Sequence, residues 1–148
     1  MNKKIAIVVS EFNQEITSKL LAGCLERLNE VGYQENNRVV IKVPGAIEIP
    51  LVTQLLAKQK QYEAIICLGA VIRGDTDHYD YVCQQVSQGC QKVMLEFETP
   101  VIFGVLTTNN TMQAEERVGG KEGHKGKEAA EAAIAMLKVT DHINSLKI

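Results

Sequence analysis

The sequence predicts a three-layer α/β/α domain in which helices cover both faces of a mostly parallel, four-stranded sheet. Short, continuously apolar segments alternate with segments whose apolar residues recur at helical spacing, which is the pattern of consecutive strand–helix units. The 148 residues suit one compact domain with a sizeable core, and no low-complexity linker or internal repeat divides them. We therefore treat residues 1–148 as a single domain.

Four segments are predicted to be strands because they are short, apolar and rich in β-branched residues. They are KKIAIVVS (3–10), RVVIKV (38–43), AIICLGAVI (64–72) and PVIFGVLTT (100–108), the last beginning after Pro100. A helix is expected after each strand, and right-handed crossovers would then place helices on both faces of a parallel sheet.

Helical periodicity follows each predicted strand. In the first helix the apolar stripe comprises Ile16, Leu20, Cys24, Leu28 and Val31, with Leu21 and Leu25 beside it. Gly32 offers a C-terminal stop. Further helices are predicted over AIEIPLVTQLLAKQ (46–59), HYDYVCQQVSQGCQKVMLEF (78–97), TMQAEERV (111–118) and an alanine-rich segment from about Lys127 to Leu146. The segment GGKEGHKG (119–126) is predicted to be a glycine-punctuated connector.

The charge pattern argues against several classes of partner. Sixteen basic and eighteen acidic residues give a net charge of −2, and no block of like charge interrupts the chain. An extended nucleic-acid or membrane-surface footprint is therefore not expected. The sequence also lacks the roughly 18 consecutive apolar residues of a membrane span and a secretory cleavage signal, so we expect a cytoplasmic protein.

The four cysteines are predicted to be buried free thiols. Cys24, Cys67, Cys83 and Cys90 lie at wide spacings within otherwise apolar segments, and no C-x-x-C pair is present. A zinc site is therefore not expected.

Ligands of open α/β sheets bind beyond the carboxyl ends of the strands, in the loops that lead into the helices. Four such loops are predicted here, reading SEFN (10–13), VPGAIE (43–48), GDTDH (74–78) and TTNNT (107–111). Because parallel strands end on the same side of the sheet, we expect these loops to lie side by side along one edge.

The loop GDTDH offers a phosphate site. Gly74 is predicted to permit a tight turn, and the amides of Asp75 and Thr76 would open the next helix, whose N-terminus attracts anions. Two aspartate side chains would repel phosphate, so they would have to point away. Simple capping of the helix by Asp75 and Thr76 is compatible with the same geometry.

A metal site is a competing interpretation of this loop. Asp75, Asp77, His78 and Asp80 supply ligand atoms within six residues. No second cluster completes a coordination shell, and the spacing matches no established metal loop, so this interpretation is the weaker one.

His78 is the candidate for acid–base catalysis because it is the only histidine at a strand-to-helix junction. Histidine exchanges protons near neutral pH, as proton-transfer steps require. The alternative is that His78 is a structural hydrogen-bonding residue.

Two aromatic residues and three cations have both a functional and a structural interpretation. Phe12 would present a flat face to a planar ring, or fill the core. For Phe103, the sequence alone favours a position in the core. Arg117 would clamp a phosphate with its guanidinium group, or lie solvated at a helix end, and Lys121 and Lys125 share that ambiguity.

Taken together, the loops resemble those of lumazine synthase, the penultimate enzyme of riboflavin biosynthesis. The resemblance covers almost the whole chain and rests on five motifs in register. These are SEFN with ITSKLLAG, VPGAIEIP, GAVIRGDTDHYDYV, PVIFGVLTT and ERVGGKEGHKGKEAA. It implies a flavodoxin-like fold and the condensation of 5-amino-6-(D-ribitylamino)uracil with 3,4-dihydroxy-2-butanone 4-phosphate. The products are 6,7-dimethyl-8-ribityllumazine, phosphate and water, and the family needs neither a cofactor nor a metal.

The resemblance also implies residue roles. His78 would move protons, and Asp75, Thr76 and Arg117 would bind the phosphate. The pyrimidine would be held by Phe12, Ala46, Ile47, Glu48, Ala70, Val71, Ile72, Phe103 and Lys125. Phe103, Arg117 and Lys125 are expected from a neighbouring subunit, since the family forms pentamers that in some members stack into icosahedral shells. Riboflavin synthase is a candidate partner.

Three residues depart from the commonest family pattern. Ile47 replaces a frequent aromatic residue, Val118 a small alanine, and His124 a frequent asparagine. None removes a charged or proton-transferring group, but Ile47 is expected to change the pocket wall and His124 to alter assembly.

Two non-catalytic functions compete with this interpretation. One is a lumazine or flavin carrier or a purely structural shell subunit, which would need neither His78 nor Arg117. The other is a flavodoxin-like binding domain. The loop SEFNQEIT (10–17) argues against it, because this loop lacks a Gly-rich or Ser/Thr-rich phosphate cradle.

Overall fold

A computed structural model describes residues 3–146 and shows a parallel sheet between two helical layers. The strands are Ile5–Ser10 (β1), Arg38–Val43 (β2), Ala64–Ile72 (β3) and Val101–Thr108 (β4). Their order is β2-β1-β3-β4, and every neighbouring pair is parallel. The predicted fold class is therefore confirmed, and the sheet described here is wholly parallel rather than mostly so.

Within residues 3–146, five helices flank this sheet. They are Gln14–Glu30 (α1), Ile49–Lys58 (α2), His78–Phe97 (α3), Thr111–Glu116 (α4) and Lys125–Ser145 (α5). Gly32 has a φ of 98° just after α1, which confirms it as the stop signal of that helix. Among residues 3–146, no helix combines the length and apolar character that crossing a membrane requires.

The continuous apolar strands are explained by burial on both faces of the sheet. Successive side chains of a strand point to opposite faces. Accordingly, Ile5, Ile7 and Val9 of β1 pack in a core with α1 and α5, whereas Ala6 and Val8 pack in a second core with α2 and α3. The two cores hold the strands so that their carboxyl ends form a single rim.

Several predicted elements differ from the structure in their bounds or in their content. The helix predicted over residues 46–59 begins instead with a 3-10 turn, Ala46–Glu48, and only then continues as α2. The segment predicted as a connector contains an antiparallel hairpin of Val118–Gly120 (β5) and Gly123–His124 (β6). Val118 enters this hairpin, which explains why α4 ends before the predicted boundary.

The cysteines are free, as predicted. Cys24, Cys67 and Cys90 are buried, but Cys83 is only half-buried, so its predicted burial is confirmed in part. Burial raises the pKa of the Cys24 thiol to about 12, which leaves it protonated and unreactive at neutral pH.

His124 caps helix α5. Its Nδ1 accepts hydrogen bonds from the backbone N–H groups of Gly126 at 3.1 Å and Lys127 at 3.4 Å. The ring packs against α1 at Gly23, where a Cβ atom would overlap it. A ring nitrogen of His124 therefore accepts the N-terminal hydrogen bonds of α5 that the side-chain oxygen of an asparagine would accept at this position. The expected effect of His124 on assembly stays a prediction.

This cap predicts a pH-dependent stability. Burial, reinforced by Lys127, lowers the pKa of His124 below its usual value of 6.5, while Glu26 and Glu128 oppose the shift. The unfolded chain therefore takes up this proton more readily than the folded one. The cap contributes fully to the free energy of unfolding above about pH 6.5. This contribution, about 1 kcal/mol for a cap of this kind, is lost as the pH falls through the lower pKa of His124 in the folded state.

Urea unfolding at pH 7.5 and pH 5, at one protein concentration, measures this loss. His124→Asn keeps a capping oxygen that does not titrate, so its free energy of unfolding is expected to fall less on acidification than that of the wild type. His142→Asn removes an exposed histidine from the same helix and serves as the control, which should keep the wild-type response. Identical pH responses in His124→Asn and wild type would contradict the prediction.

Candidate active site

The loops after β1, β2 and β3 enclose a cavity of about 420 Å³, here called the first cavity. It lies at the carboxyl ends of these strands, as the parallel sheet predicts. Its lining residues are Phe12, Asn13, Gly45, Ala46, Ile47, Glu48, Ala70, Val71, Ile72, Gly74, Thr76, His78, Tyr79 and Val82. Nine residues predicted from the sequence as site residues are thereby brought together: Phe12, Ala46, Ile47, Glu48, Ala70, Val71, Ile72, Thr76 and His78.

Hydrogen bonds hold the first loop against both of its neighbours. The N–H of Phe12 donates to the Pro44 carbonyl at 3.0 Å, which joins the first loop to the second. The side-chain amide of Asn13 donates to the Ala70 carbonyl at 2.9 Å, which joins it to β3. Asn13 has a left-handed backbone with a φ of 63°, a conformation that asparagine tolerates better than most residues. These two hydrogen bonds therefore fix the position of the first loop at the edge of the cavity.

The cavity offers an apolar wall and an exposed aromatic face. Ala46 and Val71 are buried in the wall, and Ile47 is 38% exposed beside them. Phe12 is 71% exposed, so the alternative that it fills the core is wrong. A flat aromatic ring over an apolar wall suits a planar heterocycle.

The 3-10 turn after β2 is shaped by Glu48. Its Oε1 accepts a hydrogen bond from the backbone N–H of Gly45 at 2.9 Å. This bond closes the turn, and residues 46–48 line the cavity together with residues 70–72. Peptide N–H and C=O groups are complementary to the edges of a pyrimidine.

The third loop differs in detail from the prediction. Helix α3 begins at His78, so Asp75 and Thr76 precede the helix instead of opening it. The Thr76 hydroxyl accepts a hydrogen bond from the His78 N–H at 3.3 Å, but the N-cap residue of α3 is Asp77, whose side chain makes no capping bond. Asp75 is exposed and lies outside the cavity lining. Gly74 lacks a left-handed φ, so its backbone conformation is not one that requires glycine.

His78 is exposed at the start of α3 and lines the cavity together with Tyr79 and Val82 from the same helix. Its position leaves the imidazole accessible to a bound molecule. Within residues 3–146, no three His, Cys, Asp or Glu side chains form a group that could hold a metal ion.

Arg117 and Lys125 lie in a different place. They line a second cavity of about 290 Å³, together with the end of β4 (105–108), Glu122 and Glu128. One Nη of Arg117 donates to the Gln113 carbonyl at 2.8 Å, which directs the guanidinium group. A single chain therefore does not bring Arg117 and Lys125 together with His78 in one cavity.

The remaining aromatic and cationic candidates line neither cavity. Phe103 is half-buried and packs against the core shared by α2 and α3, as its sequence favours. Lys121 is exposed and pairs with Glu116 at 3.2 Å.

Five residues that line the first cavity were not predicted as site residues: Asn13, Gly45, Gly74, Tyr79 and Val82. Val82 follows His78 by four positions, so it shares a helix face with the histidine, and this spacing was a usable signal. For Tyr79, the only indication in the sequence was its position next to His78. Asn13 gave no signal beyond its loop position, because its contact with Ala70 depends on the fold.

Comparison with known proteins decides the family. The model of the family described as 6,7-dimethyl-8-ribityllumazine synthase matches residues 2–141. The chain belongs to this family. Proteins named 6,7-dimethyl-8-ribityllumazine synthase from three strains of Coxiella burnetii are each 59% identical to it over 140 residues. The aligned residues cover 95% of this chain and 93% of each relative.

Family membership confirms the resemblance drawn from the five motifs. The matched range spans both cavities, including His78, Arg117 and Lys125. A ligand-binding domain of the flavodoxin family is therefore the wrong interpretation, although the strand order is flavodoxin-like.

Proposed function

We propose that this protein is a 6,7-dimethyl-8-ribityllumazine synthase and that its first cavity is the pyrimidine half of the active site. It condenses 5-amino-6-(D-ribitylamino)uracil with 3,4-dihydroxy-2-butanone 4-phosphate. The observation that carries the assignment is the first cavity itself, which is lined by the exposed Phe12, the segments 46–48 and 70–72, and His78 in a chain of this family.

The pyrimidine is the substrate that this cavity suits. Its planar ring stacks on Phe12, and its N–H and C=O edges bond the peptide groups of residues 46–48 and 70–72. Ile47 and Val71 supply apolar wall on either side. Glu48 sets the position of the 46–48 turn through its bond to Gly45.

The phosphate is held at the third loop. Main-chain amides near Asp75 and Thr76 bind it, while the Asp75 side chain points away into solvent. The guanidinium group of Arg117 adds a charge-assisted bond from a neighbouring subunit. Asp75 is exposed and Thr76 lines the cavity, which is compatible with this division of roles.

The reaction then needs positioning and proton transfer. The 5-amino group adds to the ketone carbonyl, and water leaves to give an imine. The imine tautomerises to an enamine, which expels phosphate from the neighbouring carbon chain and leaves an enol at the hydroxyl-bearing carbon. This enol tautomerises to a new ketone, the ribityl-bearing amine adds to it, and a second water leaves as the ring closes. His78 accepts and returns protons in these steps, and oriented donors stabilise the departing phosphate.

The assembly proposed here is a homo-oligomer whose active sites are shared. His78 and Arg117 line separate cavities of one chain, so a neighbour that places Phe103, Arg117 and Lys125 against the first cavity would complete the site. A pentamer, alone or stacked into an icosahedral shell, provides such head-to-tail interfaces. Riboflavin synthase as a partner and a cytoplasmic location stay predictions.

The test is turnover by the purified protein. With both substrates present, we expect the absorbance of the lumazine to appear together with one equivalent of inorganic phosphate, faster than in the protein-free mixture. Each substrate incubated alone with the protein is the control. Tight lumazine binding without any acceleration would show a carrier instead of an enzyme.

A further inference from the structure

Arg73 joins the third loop to the end of β4. Its backbone N–H donates to the Thr108 carbonyl at 2.9 Å, and its Nε donates to Asn109 Oδ1 at 3.1 Å. Thr108 ends β4 and Asn109 follows it, so these two hydrogen bonds anchor Arg73 to the end of the neighbouring strand.

The guanidinium group of Arg73 reaches the first turn of α3. Its Cζ lies 4.2 Å from the centre of the Tyr79 ring, which is within the range of a cation–π contact. One Nη lies 3.7 Å from Asp80 Oδ1. Tyr79 and Asp80 directly follow His78, so Arg73 connects the rim to the turn that carries the histidine.

Tyr79 is partly buried against the core shared by α2 and α3, but side-chain capping of this turn is weak. The N-cap residue Asp77 makes no side-chain capping bond, and the Thr76 hydroxyl bonds the His78 N–H at a long 3.3 Å. His78 and Asp80 are both exposed. A weakly capped, exposed helix start is free to fray or rotate, which would move the His78 imidazole. Stacking on Tyr79 restrains this motion.

We propose that Arg73 is a positioning residue, which holds the first turn of α3 so that the His78 imidazole stays in place for proton transfer. The inference rests on the proposed function. Arg73 lines neither cavity, so it acts through Tyr79 and Asp80 and does not touch substrate. The geometry uses properties that only arginine has, a planar group that stacks while its Nε donates sideways.

The first test replaces Arg73 with lysine and with methionine. Because a small displacement of a catalytic group slows chemistry more than binding, we expect both variants to lower kcat by about 3- to 10-fold and to leave KM for both substrates nearly unchanged. Arg27→Lys and Arg27→Met remove a comparably exposed arginine from α1 and should keep wild-type kinetics. Asn109→Ala, which removes the Nε partner but keeps the charge, should lower kcat in the same direction, and it tests the proposal if the Arg73 variants fold poorly.

The second test is a double-mutant cycle with His78→Ala. If Arg73 acts through His78, then Arg73→Met lowers kcat in the wild-type background but has no further effect in His78→Ala. Full rescue by Arg73→Lys, a selective rise in KM for the butanone phosphate, or an equal loss in both backgrounds would overturn the positioning role. Wild-type protein without turnover would instead overturn the proposed function itself.

Discussion

Rings assembled from equal amounts of His78→Ala and Arg117→Ala subunits are expected to regain about a quarter of the wild-type turnover. Each variant alone should be poorly active, since one lacks the proton-transfer group and the other a phosphate clamp. The expectation follows from the placement of His78 and Arg117 in separate cavities of one chain. A shared site takes His78 from one subunit and Arg117 from the next.

The size of the recovery follows from chance. In a randomly mixed ring, each half of a site is wild type with odds of one half, so about one site in four has both residues. The measurement is turnover after the two variants are denatured, mixed and reassembled, at a butanone phosphate concentration far below the KM of Arg117→Ala. Each variant reassembled alone is the control, and mass spectrometry establishes that mixed rings have formed.

A site built within one chain gives a different result. Every site would then carry one lesion whatever the mixing ratio, and activity would equal the average of the two controls. That outcome, in rings shown to be mixed, would exclude the assignment of His78 and Arg117 to different subunits.

Arg117→Ala is expected to raise the KM for the butanone phosphate by about 10- to 100-fold, the cost of losing a hydrogen bond to a charged group. Affinity for the pyrimidine should hardly change, because the proposed role of Arg117 is to bind the phosphate and not the pyrimidine. Steady-state kinetics with each substrate varied in turn measures the difference. Lys121→Ala is a matched control, since it removes a nearby exposed cation that lines neither cavity.

Calorimetry separates this role from a structural one. Inorganic phosphate should bind the wild type and Lys121→Ala similarly and bind Arg117→Ala weakly. If Arg117→Ala bound phosphate normally and lost affinity for the pyrimidine, the residue would have been assigned to the wrong substrate.

Much of the fold was predictable because burial on both faces leaves a strong local signal. The bounds predicted for β2, β3 and α3 coincide with those of the structure. In β3, nine consecutive apolar or small residues end just before Arg73. A segment with helical periodicity then begins at His78. Such changes in pattern occur within a few residues, so they can be read without knowing the neighbours.

Other features depended on particular side-chain contacts and backbone angles that hydrophobic periodicity does not record. The 3-10 turn after β2 forms where Glu48 bonds the Gly45 amide, and the hairpin after α4 needs left-handed glycines at 119 and 123. Asn13 reaches the Ala70 carbonyl across 57 positions of sequence. Local propensity carries no information about partners at such separations.

The sequence alone determined the parallel three-layer sheet, the loops at its carboxyl edge and the position of His78 where a buried strand gives way to a helix. Hydrophobic periodicity encodes all of these locally. Only the tertiary structure decided which loops share a cavity. It grouped Phe12 with residues 46–48, 70–72 and His78, and it placed Arg117 and Lys125 in a second cavity beside the end of β4. The physical reason is that the direction of a loop side chain is set by packing against other elements, which no repeating pattern in the chain records.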